Sequence, residues 1–125
     1  MLLKILRAKI HNGTITESQI DYVGSITIDR DLMDAAGILP GECVLVADLT
    51  NGARHETYVM EGKRGSRTIG INGAAARLVN VADRVIIMAF AYVSPEEAKQ
   101  LKPSIILLDE KNNIVRRLSK PALEE

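Results

Sequence analysis

The sequence is poor in aromatic residues and in cysteine, and it has no excess of charge of either sign. Aromatic side chains make up 3% of the 125 residues, with no tryptophan and one cysteine. The apolar content of 46% must therefore come from aliphatic residues. The 14 Ile and 9 Val favour strands, because β-branched side chains pack well on a pleated sheet. These observations predict a mainly β fold in a single domain over residues 1–125.

The balance of charge and the short apolar runs exclude several classes of protein. Sixteen basic residues offset sixteen acidic ones, so we expect no nucleic-acid partner and no attraction to an anionic membrane. The longest apolar run, residues 85–93, is too short to span a bilayer, and Lys4, Arg7 and Lys9 interrupt the pattern of a signal peptide. A single cysteine, Cys43, cannot form an internal disulfide and is expected to be a small buried residue. We therefore expect a cytoplasmic protein.

Alternating apolar and polar residues predict short strands joined by turns and short helices. A helix is expected after Asp29 or Asp31, either of which can cap it, and Gly37 is expected to end it. Ser94 is expected to cap a second helix. Strands are predicted over residues 2–10, 25–29, 42–48, 54–61, 68–71, 85–92 and 105–109. Turns are predicted at residues 11–13 and 51–52, and a small helix at 72–76. The tail, over about residues 115–125, is expected to be mobile.

Two segments of the chain resemble each other. Residues 34–46 and 74–87 both run from an alanine-rich helix through an aliphatic pair and an acidic turn into a Val/Ile strand. One inserted residue aligns them. The match predicts a pseudo-two-fold internal repeat that closes a small barrel, although two unrelated amphipathic units of this length can also match by chance.

The common catalytic motifs are absent from the sequence. It has no phosphate-binding glycine loop, no paired-cysteine metal motif and no Gly-x-Ser-x-Gly segment. Its two histidines, His11 and His55, lack metal-ligand spacing and are expected to be solvated or hydrogen-bonded. The remaining candidates are clusters of small and polar residues, each of which taken alone is most simply a turn.

Taken together, these clusters resemble the pyruvoyl-dependent aspartate 1-decarboxylase family over about residues 1–95. The segments that carry the resemblance, in order, are Lys9-Ile10-His11, Tyr22-Val23-Gly24-Ser25, Ile28-Asp29, Asp34 to Leu39, Thr50-Asn51-Gly52 with Arg54, Thr57-Tyr58, Arg64-Gly65-Ser66-Arg67, Asn72 to Ala76 and Asp83 to Ile87. The resemblance implies a double-ψ β-barrel with short helices. It also implies a homotetramer with active sites between subunits.

The resemblance further implies that the chain is a zymogen that cleaves itself. The bond broken is Gly24–Ser25, so that residues 1–24 become a β chain and residues 25–125 an α chain headed by a pyruvoyl group made from Ser25. This group forms a Schiff base with L-aspartate, which is converted to β-alanine and CO2 for pantothenate biosynthesis, and no metal or external cofactor is needed. Whether a maturation factor assists the cleavage is left open.

Family roles carry over residue by residue. Tyr58 is implied as the proton donor, Thr57 as the hydrogen-bond donor to the oxyanion formed during cleavage, and Asn72 as the residue that orients the processing site. The glycine at Gly24 is expected to allow a close approach of the Ser25 hydroxyl to the backbone. Substrate binding is implied for Lys9, Arg54, Thr57, Gly73, Ala74 and Ala75, and which of the two cations holds which carboxylate is left open. The second Gly-Ser pair, Gly65–Ser66, is predicted to stay intact.

A competing interpretation comes from residues 25–46. Their strand-helix-strand pattern also resembles the swapped-hairpin DNA-binding domains of bacterial transition regulators and antitoxins. A DNA-binding protein is expected to carry a basic face, which zero net charge does not favour. A third interpretation, a family relative that cannot mature, is disfavoured because Gly24, Ser25, Thr57 and Tyr58 are all present.

Overall fold

A computed structural model describes residues 1–120 of the chain. Within this part the strands form one nine-stranded sheet, accompanied by two α-helices and one 3-10 helix. Their bounds are β1 Leu3–Thr14, β2 Glu17–Gln19, β3 Ser25–Asp29, α1 Arg30–Ala36, β4 Cys43–Asp48, β5 Arg54–Gly62, β6 Ile69–Asn72, the 3-10 helix Gly73–Arg77, β7 Arg84–Val93, α2 Pro95–Gln100, β8 Ser104–Leu108 and β9 Ile114–Leu118. None of the helices in residues 1–120 has the length and apolar character needed to cross a membrane.

The sheet closes on itself. Its strand order is β2-β6-β3-β5-β4-β7-β1-β8-β9. Strands β2 and β1 lie six steps apart in this order but are separated along the chain by only Ile15 and Thr16. The amides of these two residues donate to Asp83 O at 2.9 Å and to Ile69 O at 2.8 Å, so the closing segment is hydrogen-bonded to both ends. Closure pairs the backbone of the barrel strands within one chain, while β9 stays an edge strand that among the described strands pairs with β8 alone.

The two halves of the barrel are related by a pseudo-two-fold axis, as the internal repeat predicts. The unit β3–α1–β4 corresponds to β6, the 3-10 helix and β7. Strand β3 lies antiparallel to β6, and β4 lies antiparallel to β7. The parallel pair β3–β5 has its counterpart in β6–β2, and the antiparallel pair β4–β5 in β7–β1. This mainly β architecture is that of the double-ψ β-barrel, and the predicted fold class is confirmed.

The interior of the barrel is aliphatic. Its largest fully buried side chains are Ile10, Ile15, Ile26, Ile28, Leu32, Met33, Ile38, Ile69, Ile71, Ile87, Ile106 and Val44. The tyrosines are all exposed, and Phe90 is half-buried on β7. Cys43 does not belong to this core: it is exposed at the start of β4, against expectation, because the strand's inward positions are taken by Val44 and Val46.

Helix α1 is bounded as its sequence predicts. Of the two candidate caps the structure selects Asp29, whose carboxylate accepts the Asp31 amide at 2.8 Å. Gly37 ends the helix in the left-handed conformation, with φ of 78°. Ser94 and Glu97 form a reciprocal capping box at the start of α2.

The turn predicted at residues 11–13 is wrong, because these residues lie inside β1. The pairing of β1 with β7 slips between Ile10 and Gly13, and Asn12 has φ of 66°. The Arg84 guanidinium donates to Asn12 O at 2.7 and 3.1 Å and holds the bulged residue in place. Turn-forming residues therefore mark a bulge here, since both features need a residue that tolerates positive φ.

Strand β9 also differs from the sequence analysis, which predicted a mobile tail over about residues 115–125. Residues 114–118 pair antiparallel with β8, and Leu118 is buried. The preceding turn is anchored by Asn112, whose side chain donates to Thr14 O and Arg67 O and accepts the Thr14 amide at 2.7 Å. Residues 121–125 of that tail lie outside the described residues.

Candidate active site

The site is built around Ser25, the first residue of β3. Ser25 is buried, while Gly24 before it is exposed. Its Oγ accepts a hydrogen bond from Asn72 Nδ2 at 3.0 Å and lies 3.3 Å from the carbonyl oxygen of Val23, to which the hydroxyl donates. Ser25 and Asn72 are direct partners in the β3–β6 pairing, so the fold itself brings the two side chains together.

Asn72 is buried and contributes both of its amide hydrogens. The same Nδ2 that donates to Ser25 also donates to Thr27 Oγ1 at 3.1 Å. Since a side-chain amide nitrogen carries two hydrogens, the two bonds use its full donor capacity. The orientation of the amide relative to Ser25 is thereby determined.

The tightest backbone contact of the site lies between Gly24 and Gly73. Gly73 has φ of 80°, and a Cβ added to it would lie 2.5 Å from Gly24 Cα and 2.9 Å from Gly24 N. A Cβ added to Gly24 would meet nothing within 4 Å. The packing constraint that we expected at Gly24 therefore falls on Gly73, which must lack a side chain for the backbone before Ser25 to take its position.

A cleft of about 680 Å³ opens beside Gly24. It is lined by Gly24, His55, Glu56, Thr57, Tyr58, Asn72, Ala74, Ala75, Arg77 and Leu78. Six of the ten predicted site residues are in this set, namely Gly24, Thr57, Tyr58, Asn72, Ala74 and Ala75. Ser25 and Gly73 adjoin it through their contacts with Asn72 and Gly24.

Strand β5 carries Thr57 and Tyr58 past the Gly24–Ser25 bond. It lies parallel to β3 with Val59 opposite Ile26, and extending this register places Tyr58 beside Ser25 and Thr57 beside Gly24. Thr57 is half-buried and Tyr58 is exposed, as the alternation of side chains along a strand requires. A hydroxyl and a phenol thus flank the bond on the side of the cleft.

Lys9 lies apart from the cleft within one protomer, and Arg54 borders the cleft without lining it. Lys9 on β1 is separated from Glu56 by three interstrand steps, through Met88 and Leu45, or about 14 Å. Arg54 is exposed at the start of β5, four residues or about 13 Å along the strand from Tyr58. A lysine side chain is too short to bridge such a distance, so one chain does not assemble the whole predicted set.

The hairpin before Arg54 is held by a pair of acidic residues. Asp48, buried at the end of β4, accepts the amides of Thr50 and Asn51 with Oδ1, while its buried Oδ2 receives no hydrogen bond from an N–H donor among the described residues. Burial and contact with the Asp83 carboxyl raise the pKa of Asp48. Hydrogen bonding from Asp48 and from the Asn80 amide lowers the pKa of Asp83. The proton of this pair is therefore held preferentially by Asp48, which donates it to the Asp83 carboxylate.

Two residues of the cleft were missed by sequence reasoning as site residues. His55 is half-buried on β5, burial lowers its pKa, and its Nε2 is buried without a hydrogen-bond partner within residues 1–120, so a neutral imidazole is expected at pH 7. Arg77 brings a positive charge to the cleft from the end of the 3-10 helix. The sequence feature that could have identified Arg77 as a cleft residue is its spacing of three residues from Ala74, which places both side chains on one side of a 3-10 helix.

The second Gly-Ser pair has a different environment. The carboxylate of buried Asp29 accepts the amides of Gly65 at 3.1 Å and Arg67 at 2.8 Å. Ser66 Oγ donates to Lys63 O at 2.6 Å. Its Oγ also accepts a long hydrogen bond, 3.4 Å, from the Thr68 backbone amide. The hydroxyl is therefore committed to a turn, and in the described part of the chain no side-chain amide donates to it as Asn72 does to Ser25.

Metal-ligating residues are not clustered in the described part of the chain. No group of three or more His, Cys, Asp or Glu side chains among residues 1–120 is arranged to hold a metal ion.

Comparison with known proteins adds independent information. Residues 1–115 match the family model described as aspartate decarboxylase. The aspartate 1-decarboxylase of Caldicellulosiruptor saccharolyticus is 54% identical over 120 residues, which is 96% of this chain and 94% of that protein. Those of Carboxydothermus hydrogenoformans and Caulobacter vibrioides are 53% and 54% identical, covering 93% and 91% of this chain and 91% and 97% of their own lengths.

Proposed function

The chain belongs to the aspartate decarboxylase family, and we propose that this carboxy-lyase converts L-aspartate to β-alanine and CO2 with a pyruvoyl group made from its own Ser25. The product suits pantothenate biosynthesis in the cytoplasm. The observation that carries the proposal is the buried Ser25 hydroxyl, held by Asn72 directly after an exposed Gly24 at the edge of an open cleft.

The first step uses only residues of the chain. Ser25 Oγ attacks the carbonyl carbon of Gly24, the C–N bond breaks, and the peptide becomes an ester with a free amine on residue 25. The position of Thr57 beside Gly24 in the extended β3–β5 register supports its role as donor to the oxyanion that forms on the Gly24 carbonyl. The contact between Gly73 and Gly24 supports a role for Gly73 in holding that carbonyl within reach.

The ester is then eliminated. Loss of the α-proton of residue 25 and cleavage of its Cβ–Oγ bond release residues 1–24 with a new carboxylate and leave dehydroalanine at the head of residues 25–125. Addition of water to its imine tautomer expels ammonia and produces the pyruvoyl group. The local residues fit this step, because the oxygen that departs with the Gly24 carboxylate is the Ser25 Oγ that accepts a hydrogen bond from the Asn72 amide.

A pyruvoyl group supplies an electrophilic ketone that reacts with the substrate amine and accepts the electron pair released with CO2. Tyr58 lies beside residue 25 in the same register, which supports its role in delivering a proton to the former α-carbon. Backbone amides near Ala74 and Ala75 contribute to substrate binding from the wall of the cleft. No metal or separately bound cofactor enters the proposal.

The two predicted carboxylate ligands support a site shared between copies of the chain. Lys9 lies about 14 Å across the sheet from Glu56 of the cleft, so within this proposal it reaches the cleft of a neighbouring protomer. Arg54, which is exposed at the first position of β5, is the second cation available to an aspartate carboxylate. The assembly proposed is a homotetramer with active sites at subunit interfaces.

The strand-helix-strand unit that resembles DNA-binding regulators does not support a DNA-binding function here. Here β3–α1–β4 forms one half of a barrel closed within a single chain, and the net charge is zero. Neither observation favours a nucleic-acid partner.

Denaturing mass spectrometry of the purified chain tests the proposal. We expect masses for residues 1–24 and for residues 25–125 headed by a pyruvoyl group, a hydrazine adduct on the larger piece, and aspartate-dependent release of CO2. Ser25→Ala should abolish all three, whereas Ser66→Ala, which alters the second Gly-Ser pair, should abolish none. A break at Ser66, or an active chain with no break, would contradict the proposal, and maturation of the pure chain alone would show that no maturation factor is required.

A further inference from the structure

We propose that Thr27 is a positioning residue for the self-cleavage, acting through the Asn72 amide on the Ser25 hydroxyl. The inference rests on the proposed function and adds a residue to it. Thr27 lies two positions after Ser25 on β3, on the same face of the strand. Asn72 lies opposite Ser25 on β6, and its Nδ2 is 3.0 Å from Ser25 Oγ and 3.1 Å from Thr27 Oγ1.

The second bond gives the other N–H of the Asn72 amide an acceptor when the nitrogen end of the side chain faces Ser25, and both N–H groups would lose these acceptors if the amide turned over. An asparagine side chain presents a donor nitrogen at one end and an acceptor oxygen at the other, and the two have nearly the same shape. If the amide turned over, its oxygen would accept the Ser25 hydroxyl proton, and the donor to Oγ would be lost. The Thr27 hydroxyl oxygen favours the observed orientation, because it accepts the amide's other N–H in a place where Asn72 is almost completely buried.

The observed orientation favours attack by Ser25. With Asn72 donating to Oγ, the hydroxyl proton points away from Asn72 and toward the carbonyl oxygen of Val23, 3.3 Å away. A donor to Oγ also stabilises the negative charge that grows on this oxygen as its proton leaves. Thr27 thus contributes to cleavage without contacting the bond that breaks.

The side chain of Thr27 is itself held in place. A Cβ added to Gly62 on the neighbouring strand β5 would lie 3.2 Å from Thr27 Cγ2, so the threonine methyl packs against the bare backbone of Gly62. Because a β-branched side chain has restricted χ1, seating the methyl there fixes the direction of Oγ1 toward Asn72.

The test compares the rate at which purified precursor matures in three Thr27 variants, in Asn72→Ala and in one double variant. Thr27→Val keeps the shape and favours the strand but removes the acceptor, and we expect maturation about tenfold slower than in the unmodified chain. Thr27→Ala removes the acceptor without the β-branch and should be slowed similarly, whereas Thr27→Ser restores the hydroxyl and should mature within about threefold of the unmodified chain. In an Asn72→Ala background, Thr27→Val should slow maturation no further, because the residue through which it acts is gone.

The readout is the fraction of chain cut at Gly24–Ser25 against time, measured by denaturing mass spectrometry, with melting temperature as the measure of folding. Maturation of Thr27→Val and Thr27→Ala at the unmodified rate would overturn the inference. So would a Thr27→Ser variant as slow as Thr27→Val, which would indicate a role for the methyl group alone. Failure of the unmodified chain to be cut, both alone and with added cell extract as a source of a maturation factor, would instead refute the proposed function, so the two failures are distinguishable.

Discussion

The contact between Gly73 and Gly24 makes Gly73→Ala the sharpest test of how the barrel prepares the chain for cleavage. The new Cβ would lie 2.5 Å from Gly24 Cα, whereas ordinary contacts begin at 3.4 Å. Its neighbours on that side are backbone atoms of Gly24 and Tyr22, which cannot rotate away as a flexible side chain would. The backbone before Ser25 must therefore move by about 1 Å, and a displacement of this size costs a reaction about 100-fold in rate.

Alanine at Gly73 also carries a penalty unrelated to the contact. A residue other than glycine in the left-handed region costs about 1–2 kcal/mol. Gly37→Ala is a matched control, because Gly37 has φ of 78° and a Cβ there would meet nothing within 4 Å. The melting temperature of both variants should fall, because alanine is strained at positive φ. Only Gly73→Ala should also displace the backbone of Gly24.

The assay is the fraction of chain cut between Gly24 and Ser25 as a function of time, alongside melting curves at one protein concentration. We expect Gly73→Ala to mature about 100-fold more slowly than Gly37→Ala. Equal maturation rates in the two folded variants would refute the reasoning, since the contact would then have no bearing on the geometry of cleavage.

Three further predictions follow from the same structure. Tyr58→Phe should be cut normally but turn over 10²- to 10⁴-fold more slowly; equal loss of cutting and turnover would reject its role as proton donor. Lys9→Ala and Tyr58→Phe, each nearly inactive alone, should regain activity when co-expressed if Lys9 serves a neighbouring protomer, and persistent inactivity of mixed oligomers would refute a shared site. Asp48 has a raised pKa, so its stabilising contribution is complete below its unfolded pKa of about 3.9 and is lost as pH rises through the folded value. Asp48→Asn, which still accepts the hairpin amides and can donate to Asp83, should therefore gain more stability relative to the unmodified chain at pH 8 than at pH 4; melting curves showing the same offset at both pH values would contradict this.

Local patterns predicted those elements whose stability is local. Strand β3 begins and ends where alternation predicts, and α1 is bounded by a carboxylate cap and a left-handed glycine that are recognisable without any partner. The internal repeat was also recognisable in the sequence, because the two halves of the barrel form corresponding strands with similar residues. Residues 11–13 were misassigned because Asn12 suits a turn and a bulge equally well, and only the Arg84 contact distinguishes them.

Strand β9 depends on contacts that no local pattern contains. Its turn is stabilised by Asn112, which bonds to residues 98 and 45 positions away in the chain. The surrounding segment is polar, so its composition alone resembled that of a tail. Pairing with β8 supplies the backbone partners that make it a strand.

The sequence by itself determined the chemical inventory of the site: a hydroxyl after a glycine, a threonine-tyrosine pair, and an asparagine followed by small residues. Tertiary structure decided which of these meet. Ser25 and Asn72 are 47 residues apart and become partners only because β3 and β6 pair across the barrel, while Lys9 is held on another part of the sheet. The identity of a side chain is encoded locally, but its neighbours are set by strand register, and register is a property of the whole closed sheet.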